Sequence, residues 1–204
     1  MTILSVNKTR EFGWALCAHL LLPWTALLKK RSVHLNSKTR YLTHAAIIAA
    51  LYAVLTHMQN LLLPGSATWA IQMRMSEALC VLAFFTPAAI PGLTLGCLVF
   101  NLTVAAALPL DFVIGSAATF LAALGMWKTR RVTMKGIPLL GLLLPALANA
   151  VLVGWELTVY IGGGFLLNAV YVAIGEAAVL LTLGSALYYA IKKRRLEEKL
   201  HWTV

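Results

Sequence analysis

Negative charge is scarce in this chain: seven Asp and Glu stand against seventeen Lys and Arg among 204 residues. Charged residues of both signs make up 12% of the sequence, about half the share found in a soluble domain. So few ionisable side chains cannot cover a folded surface with groups that water solvates, which excludes a water-soluble globular domain. Cysteine is sparse as well. Cys17, Cys80 and Cys97 each lie in apolar sequence and no two form a Cys-x-x-Cys pair, so they read as small core residues rather than disulfide partners or ligands. His44 and His57 are thirteen positions apart on one predicted helix. They face different directions, a poor arrangement for a metal, and read as packed or interfacial side chains. Gly-x-x-x-x-Gly-Lys-Ser/Thr, His-Glu-x-x-His and Gly-x-Ser-x-Gly are absent, and with them the sequence signs of ATP or peptide hydrolysis.

What is abundant is apolar. Hydrophobic residues reach 60% and the mean hydropathy is +0.81, so the solvent for this chain is lipid. A net charge of +10 would suit nucleic acid if it lay on one face. Instead the basic residues sit in clusters between long apolar runs, which is how a membrane protein is oriented.

In chain order, residues 1–38 form a basic N-terminal extension around the apolar piece 12–28, which Pro23 interrupts. This piece is at the short limit for a span of about 20 residues and has positive charge on both flanks. It reads as interfacial, or as a signal-like segment or extra span without an Ala-x-Ala cleavage pattern. Residues 39–195 form a membrane domain with six predicted spans, at 41–63, 76–90, 91–108, 112–127, 137–155 and 165–191, and residues 196–204 form a tail. Ala45, Ala49 and Ala53 in the first span recur at a spacing of four, with Ala46 and Ala50 beside them. Such a strip lets another helix come close, either within the chain or on a partner protein. With six spans, sixteen of the seventeen Lys and Arg fall on one side and Arg74 alone on the other. That asymmetry places both termini in the cytoplasm.

The acids between positions 41 and 191 are Glu77, Asp111, Glu156 and Glu176. Glu77 opens the second span, Asp111 opens the fourth and Glu156 closes the fifth, all at the external surface. Glu176 lies about 16 Å along the sixth span, near mid-membrane. A carboxylate there costs roughly 2.5–3.5 kcal/mol on insertion scales and marks a cavity or a partner. Asn101 and Asn168 lie in the same half, Asn149 shares a helix face with Glu156, and Gln72 and Arg74 come from the first external loop. These groups either bond helices to one another or line a pocket. A pocket with four carboxylates and one arginine takes a ligand that is cationic or rich in hydrogen-bond donors.

The run from Ile71-Gln72-Met73-Arg74-Met75-Ser76-Glu77-Ala78-Leu79 through Phe85-Thr86-Pro87-Ala88-Ala89-Ile90-Pro91-Gly92-Leu93 to Gly96-Cys97 closely resembles the QueT family. These are substrate-binding S components of energy-coupling-factor (ECF) transporters for queuosine precursors. Asp111 with Gly115-Ser116-Ala117-Ala118-Thr119, Asn149-Ala150 with Gly154 and Glu156, and Gly175-Glu176-Ala177 follow in the family's order. The resemblance covers residues 39–191. It implies an all-α bundle of six transmembrane helices in the cell membrane, an external binding site, and a first loop that closes over the substrate. It also implies one transmembrane coupling subunit and two ATPase subunits as partners, with ATP bound there and no cofactor in this chain. Ala45, Ala49 and Ala53 then match the docking strip for the coupling subunit.

The implied ligand, a 7-deazaguanine base, presents its ring N–H and exocyclic amine as adjacent donors that one carboxylate can accept. An aminomethyl substituent would add a cation. Glu77 and Glu176 are the expected acceptors, with Asn101, Asn149 and Asp111 completing the polar shell and Gln72, Arg74 and Glu156 beside them. Arg74 either touches ligand or pairs with Glu77, and Trp69 either stacks on the base or anchors the loop at the interface. The alternatives to a queuosine-precursor carrier are an S component for another small metabolite or vitamin, and a membrane enzyme using Glu77 and Glu176 as an acid–base pair.

Overall fold

A computed structural model describes residues 36–66, 71, 73–104, 107–133, 136–200 and 202. The apolar piece at 12–28, Cys17, Trp69 and Gln72 lie outside the described residues. The described chain is helical. Its elements are α1 (Ser37–Leu62), a 3-10 helix (Met75–Phe84), α2 (Ala89–Thr103), α3 (Asp111–Thr129), the single turn α4 (Leu139–Leu142), α5 (Leu144–Tyr160), α6 (Phe165–Val179), a π-helical turn (Leu180–Gly184), α7 (Ser185–Arg194) and the short α8 (Leu196–Lys199). α6, the π turn and α7 form one continuous column, Phe165–Arg194.

Four of these stretches are long and apolar enough to cross a bilayer: Ser37–Leu62, Asp111–Thr129, Leu139–Tyr160 and Phe165–Arg194. The predicted second and third spans are shorter than that, as a ten-residue 3-10 helix and the fifteen-residue α2. At about 2.0 Å of rise per residue the 3-10 helix covers roughly 20 Å, and α2 at 1.5 Å covers about 22 Å. Pro91 does not separate the two runs. It sits in the first turn of α2, where a backbone N–H has no helical partner to lose. The fifth predicted span also shifts: α5 runs on to Tyr160, so Glu156 lies inside the helix rather than at its end.

The 3-10 helix is the centre of the bundle. Eight of its ten residues are buried, as expected of a segment apolar on every side. Val81, Ala83 and Phe84 join Leu93 of α2, Met126 of α3, Leu142 of α4, Leu180 of the π turn and Tyr188 of α7 in one core. Conversely, Ile47, Leu51, Val54, Leu55 and Met58 leave a broad exposed apolar face on α1. In water a face of this kind is an association site; in a bilayer it is the ordinary surface of a membrane helix.

α1 and α2 meet backbone to backbone. A Cβ on Gly92 would lie 2.8 Å from the Ala45 carbonyl oxygen, and one on Gly96 would lie 2.6 Å from Tyr52 Cβ and 2.8 Å from the Ala49 carbonyl oxygen. Gly92 and Gly96 are four residues apart, a pair that permits close helix approach. Ala45 is accordingly buried inside the chain, while Ala49 and Ala53 are half-buried and Ala46 and Ala50 are exposed. This contact fixes the height of Tyr52 against the start of the 3-10 helix.

Candidate binding site

The polar groups collect at one end of the bundle, where α1, α2 and α5 finish and the 3-10 helix, α3 and α6 begin. α1 contributes Tyr52, Thr56 and Gln59, all on its buried stripe with Ala45 and Ile48. Tyr52 Oη donates to Glu77 Oε1 at 2.5 Å, and Thr56 Oγ1 lies 2.7 Å from Ser76 Oγ. Cys80 Sγ donates to Glu77 Oε2 at 3.0 Å. That contact follows from the 3-10 geometry, in which residues three apart stand one above the other. Each oxygen of Glu77 thus already accepts a hydrogen bond from the protein.

Gln59 ties down the connection that follows α1. Its Nε2 donates to the Met73 carbonyl at 2.5 Å and to Ser66 Oγ at 3.0 Å, and its Oε1 accepts from the Met75 N–H at 2.7 Å. Met73 N–H in turn donates to the Ser66 carbonyl at 3.0 Å. One buried amide therefore bonds Ser66 on one side of the connection and Met73 and Met75 on the other.

Arg74 is the buried cation, 2% exposed. It precedes the 3-10 helix in an extended conformation, φ −76° and ψ 107°. Its Nη2 lies 3.6 Å from Asp111 Oδ2, too long for a good hydrogen bond but within ion-pair distance. Asp111 is thus an ion-pair partner of Arg74 that the sequence expectations did not include, and Glu77 is also within its electrostatic reach. The guanidinium also reaches Cys97 Sγ at 3.8 Å and stands 5.8 Å from the Phe100 ring centre. Asn101 Nδ2 donates to the Asp111 carbonyl at 2.9 Å, joining the end of α2 to the start of α3. Gly115 makes room for the pair, since a Cβ there would lie 2.7 Å from Asn101 Nδ2 and 2.9 Å from Asp111 Oδ1.

Glu156 and Glu176 are both fully buried. Glu156 is within electrostatic reach of Asp111 and Arg74, and Glu176 of Glu77 and Arg74. Glu176 stands one turn before the π turn, a distortion that often accompanies functional sites. Asn149 is buried on α5 on the face of Glu156. Asn168 joins the start of α6 to the end of α5, its Nδ2 donating to Thr158 Oγ1 at 3.0 Å and to the Gly162 carbonyl at 3.1 Å.

The unmet hydrogen-bonding capacity of this region is almost entirely accepting. Both oxygens of Glu156, both of Glu176, Asp111 Oδ1 and Asn101 Oδ1 are buried with no hydrogen-bond partner among the described residues, and Ser116 Oγ shares that state. Buried acceptors without donors cost roughly 1–3 kcal/mol each, more when charged. Groups left open in this way are met in a native fold by water, by an ion or ligand, or by a proton on the carboxyl itself. Among the described residues, no group of three or more His, Cys, Asp and Glu could hold a metal ion.

The sequence expectations for Arg74, Glu77, Asp111, Glu156 and Glu176 thus fall within one electrostatically connected cluster. Tyr52, Thr56, Gln59, Ser76 and Ser116 were missed. The signal for the first three was present as polar residues on the inward stripe of an otherwise apolar helix. Comparison with curated proteins and with solved structures gave no match. A family model described as QueT transporter matches residues 42–193, which include the whole acceptor cluster and all four long helices except their outermost residues. The chain is a membrane protein that belongs to the QueT transporter family, and so a transporter rather than an enzyme.

Proposed function

We propose that this chain is the substrate-binding S component of an ECF transporter, that it crosses the cell membrane six times, and that it captures a queuosine precursor, a 7-deazaguanine base, at its external end. The observation that carries the reading is the excess of buried, donor-less acceptor oxygens on Glu156, Glu176, Asp111 and Asn101 around one arginine. A 7-deazaguanine offers an N–H and an amine side by side on one edge, which suits a carboxylate with two open oxygens. Glu176 takes this edge, while Glu77, held by Tyr52 and Cys80, sits beside it and shapes the wall. Asn149, buried on α5, completes the polar surroundings.

Transport requires partners: a transmembrane coupling subunit and two ATPase subunits whose ATP hydrolysis reorients this chain. The docking surface is the outward side of α1, with Ala46 and Ala50 at its middle and Ala49 and Ala53 at its edge. Ala45, turned toward α2, supports it from within. Three measurements test this together. The purified chain is expected to bind a 7-deazaguanine one to one in detergent and to hydrolyse no ATP, and Ala50→Trp is expected to keep that affinity while uptake by cells carrying the coupling module falls about tenfold or more. Intrinsic ATPase activity, or full uptake by Ala50→Trp, contradicts the assignment. A vitamin that displaces the 7-deazaguanine competitively and binds more tightly would move the chain to another substrate class.

A further inference from the structure

The end of the bundle opposite the acceptor cluster carries unmatched charge of the other sign. α3 starts at Asp111 and has Lys128 in its last turn, about 26 Å further along the helix. Lys128, Arg130, Arg131 and Lys135 follow closely in the chain, and no Asp or Glu occurs anywhere from 112 to 155. Among the described residues, no carboxylate lies within ion-pair distance of Lys128, Arg130 or Arg131. Trp127 marks the depth at which α3 leaves the lipid, as tryptophans at the membrane interface do. Arg130 is pinned on it: Nη1 donates to the Trp127 carbonyl at 2.6 Å, and the guanidinium stands 3.6 Å from the ring centre.

An apolar groove of about 390 Å³ runs between α3 and α5, with Leu121 on one wall and Leu144, Leu147, Ala148 and Val151 on the other. The four α5 residues recur at the spacing of a single helix face, so the groove follows that helix for roughly 10 Å. Leu147 and Val151 are each 57% exposed, and the groove opens outward to where lipid lies. Leu121, Gly125 and Lys128 share one face of α3, four and three positions apart. Leu144 leans onto Gly125, its Cδ1 2.9 Å from the point that a Cβ would occupy. Lys128 therefore stands one turn beyond the end of the groove nearest the water, while Val151 lies toward the middle of the bilayer.

We infer that this groove and the cations at its end form a binding site for one anionic phospholipid. An acyl chain lies along Leu121, Leu147 and Val151, and the headgroup phosphate meets Lys128 and the exposed Arg131. The occupant has to join an apolar chain to an anion at the level of Trp127, which is how a phospholipid is built. Net charge selects within that class. A zwitterionic headgroup brings an ammonium beside its phosphate, and the hairpin from 112 to 155 has no acid to receive it. An anionic headgroup sets no such cation against Lys128 and Arg131. The site lies away from the acceptor cluster and does not depend on which substrate the chain carries.

The experiment counts lipids retained by the full chain in native mass spectrometry, during titration in neutral detergent with phosphatidylglycerol or phosphatidylcholine of identical acyl chains. The wild type is expected to hold its first phosphatidylglycerol about tenfold more tightly than phosphatidylcholine, the scale of two basic side chains at a lipid headgroup. Lys128→Gln with Arg131→Gln is expected to reduce that preference to less than about threefold. Lys193→Gln with Arg194→Gln, which neutralises the basic end of α7 instead, is expected to leave it unchanged. Ala148→Trp fills the groove and is expected to weaken both lipids alike. None of these side chains is buried, and an unchanged melting temperature without added lipid checks that each variant is folded. A wild type without preference, or a preference that survives Lys128→Gln with Arg131→Gln, would overturn the site. Equal losses in the two double variants would also overturn it, since the attraction would then belong to the whole basic end. Undiminished binding in Ala148→Trp would overturn the groove as the seat of the acyl chain.

Discussion

Replacing Glu176 by Gln is expected to weaken binding of a 7-deazaguanine about 10- to 100-fold, the roughly 1.5–3 kcal/mol carried by hydrogen bonds to a charged acceptor. The same change is expected to raise the melting temperature of the ligand-free chain. Glu176 is fully buried, its oxygens have no donor among the described residues, and a second carboxylate, Glu77, is within electrostatic reach. A neutral amide of nearly the same shape is less costly to bury there. Opposite signs for binding and stability distinguish a functional carboxylate from a structural one: a helix-bonding Glu would lose stability when neutralised. Equilibrium titration and thermal unfolding in one detergent check both halves. Unchanged affinity would remove Glu176 from the site, and a lowered melting temperature would assign it to helix packing.

Replacing Arg74 by Ala is expected to destabilise the chain by about 3–5 kcal/mol, the usual result of removing one partner from a buried ion pair. The loss has a definite origin. Arg74 and Asp111 are both buried, 3.6 Å apart, and without the guanidinium the Asp111 carboxylate stays in place with no countercharge beside it. The Asn101–Asp111 contact that joins α2 to α3 would be strained next, because the same aspartate supplies the carbonyl. Adding Asp111→Asn to Arg74→Ala is expected to recover a substantial part of the loss. Denaturation midpoints for the two single variants and the double variant form the cycle that isolates the pair. If Arg74→Ala unfolds at the wild-type midpoint, the pair is not what joins the first loop to α3.

The four long helices, and the place of Glu176 within the last of them, are legible from apolar run length and charge position. Less legible is what depends on backbone details. The 3-10 form of Met75–Phe84 has no distinct pattern in its residues, yet it is what places Cys80 over Glu77. Arg74 and Glu77 are three apart, and on a regular helix that spacing would pair them. Arg74 lies before the helix starts, in extended conformation, and the spacing rule gives no hint of its ion pair with Asp111. The alanine strip marks a close-packed face without specifying its neighbour. Gly92 and Gly96, four apart on α2, are the complementary strip and account for Ala45 and the Ala49 carbonyl. Tyr52, Thr56 and Gln59 belong to the same stripe as Ala45 and Ile48. Their polar ends were visible in the sequence, but their targets lie 25, 20 and 14 residues away in the chain, pairings that only the packed bundle brings about.

The most direct test of a donor-seeking chamber is mass spectrometry of small molecules released by denaturing the chain after purification from cells. The account predicts a 7-deazaguanine at close to one per chain, strongly reduced in Glu176→Gln. Release of a different compound without a paired donor edge, in equal amount from both proteins, would contradict it.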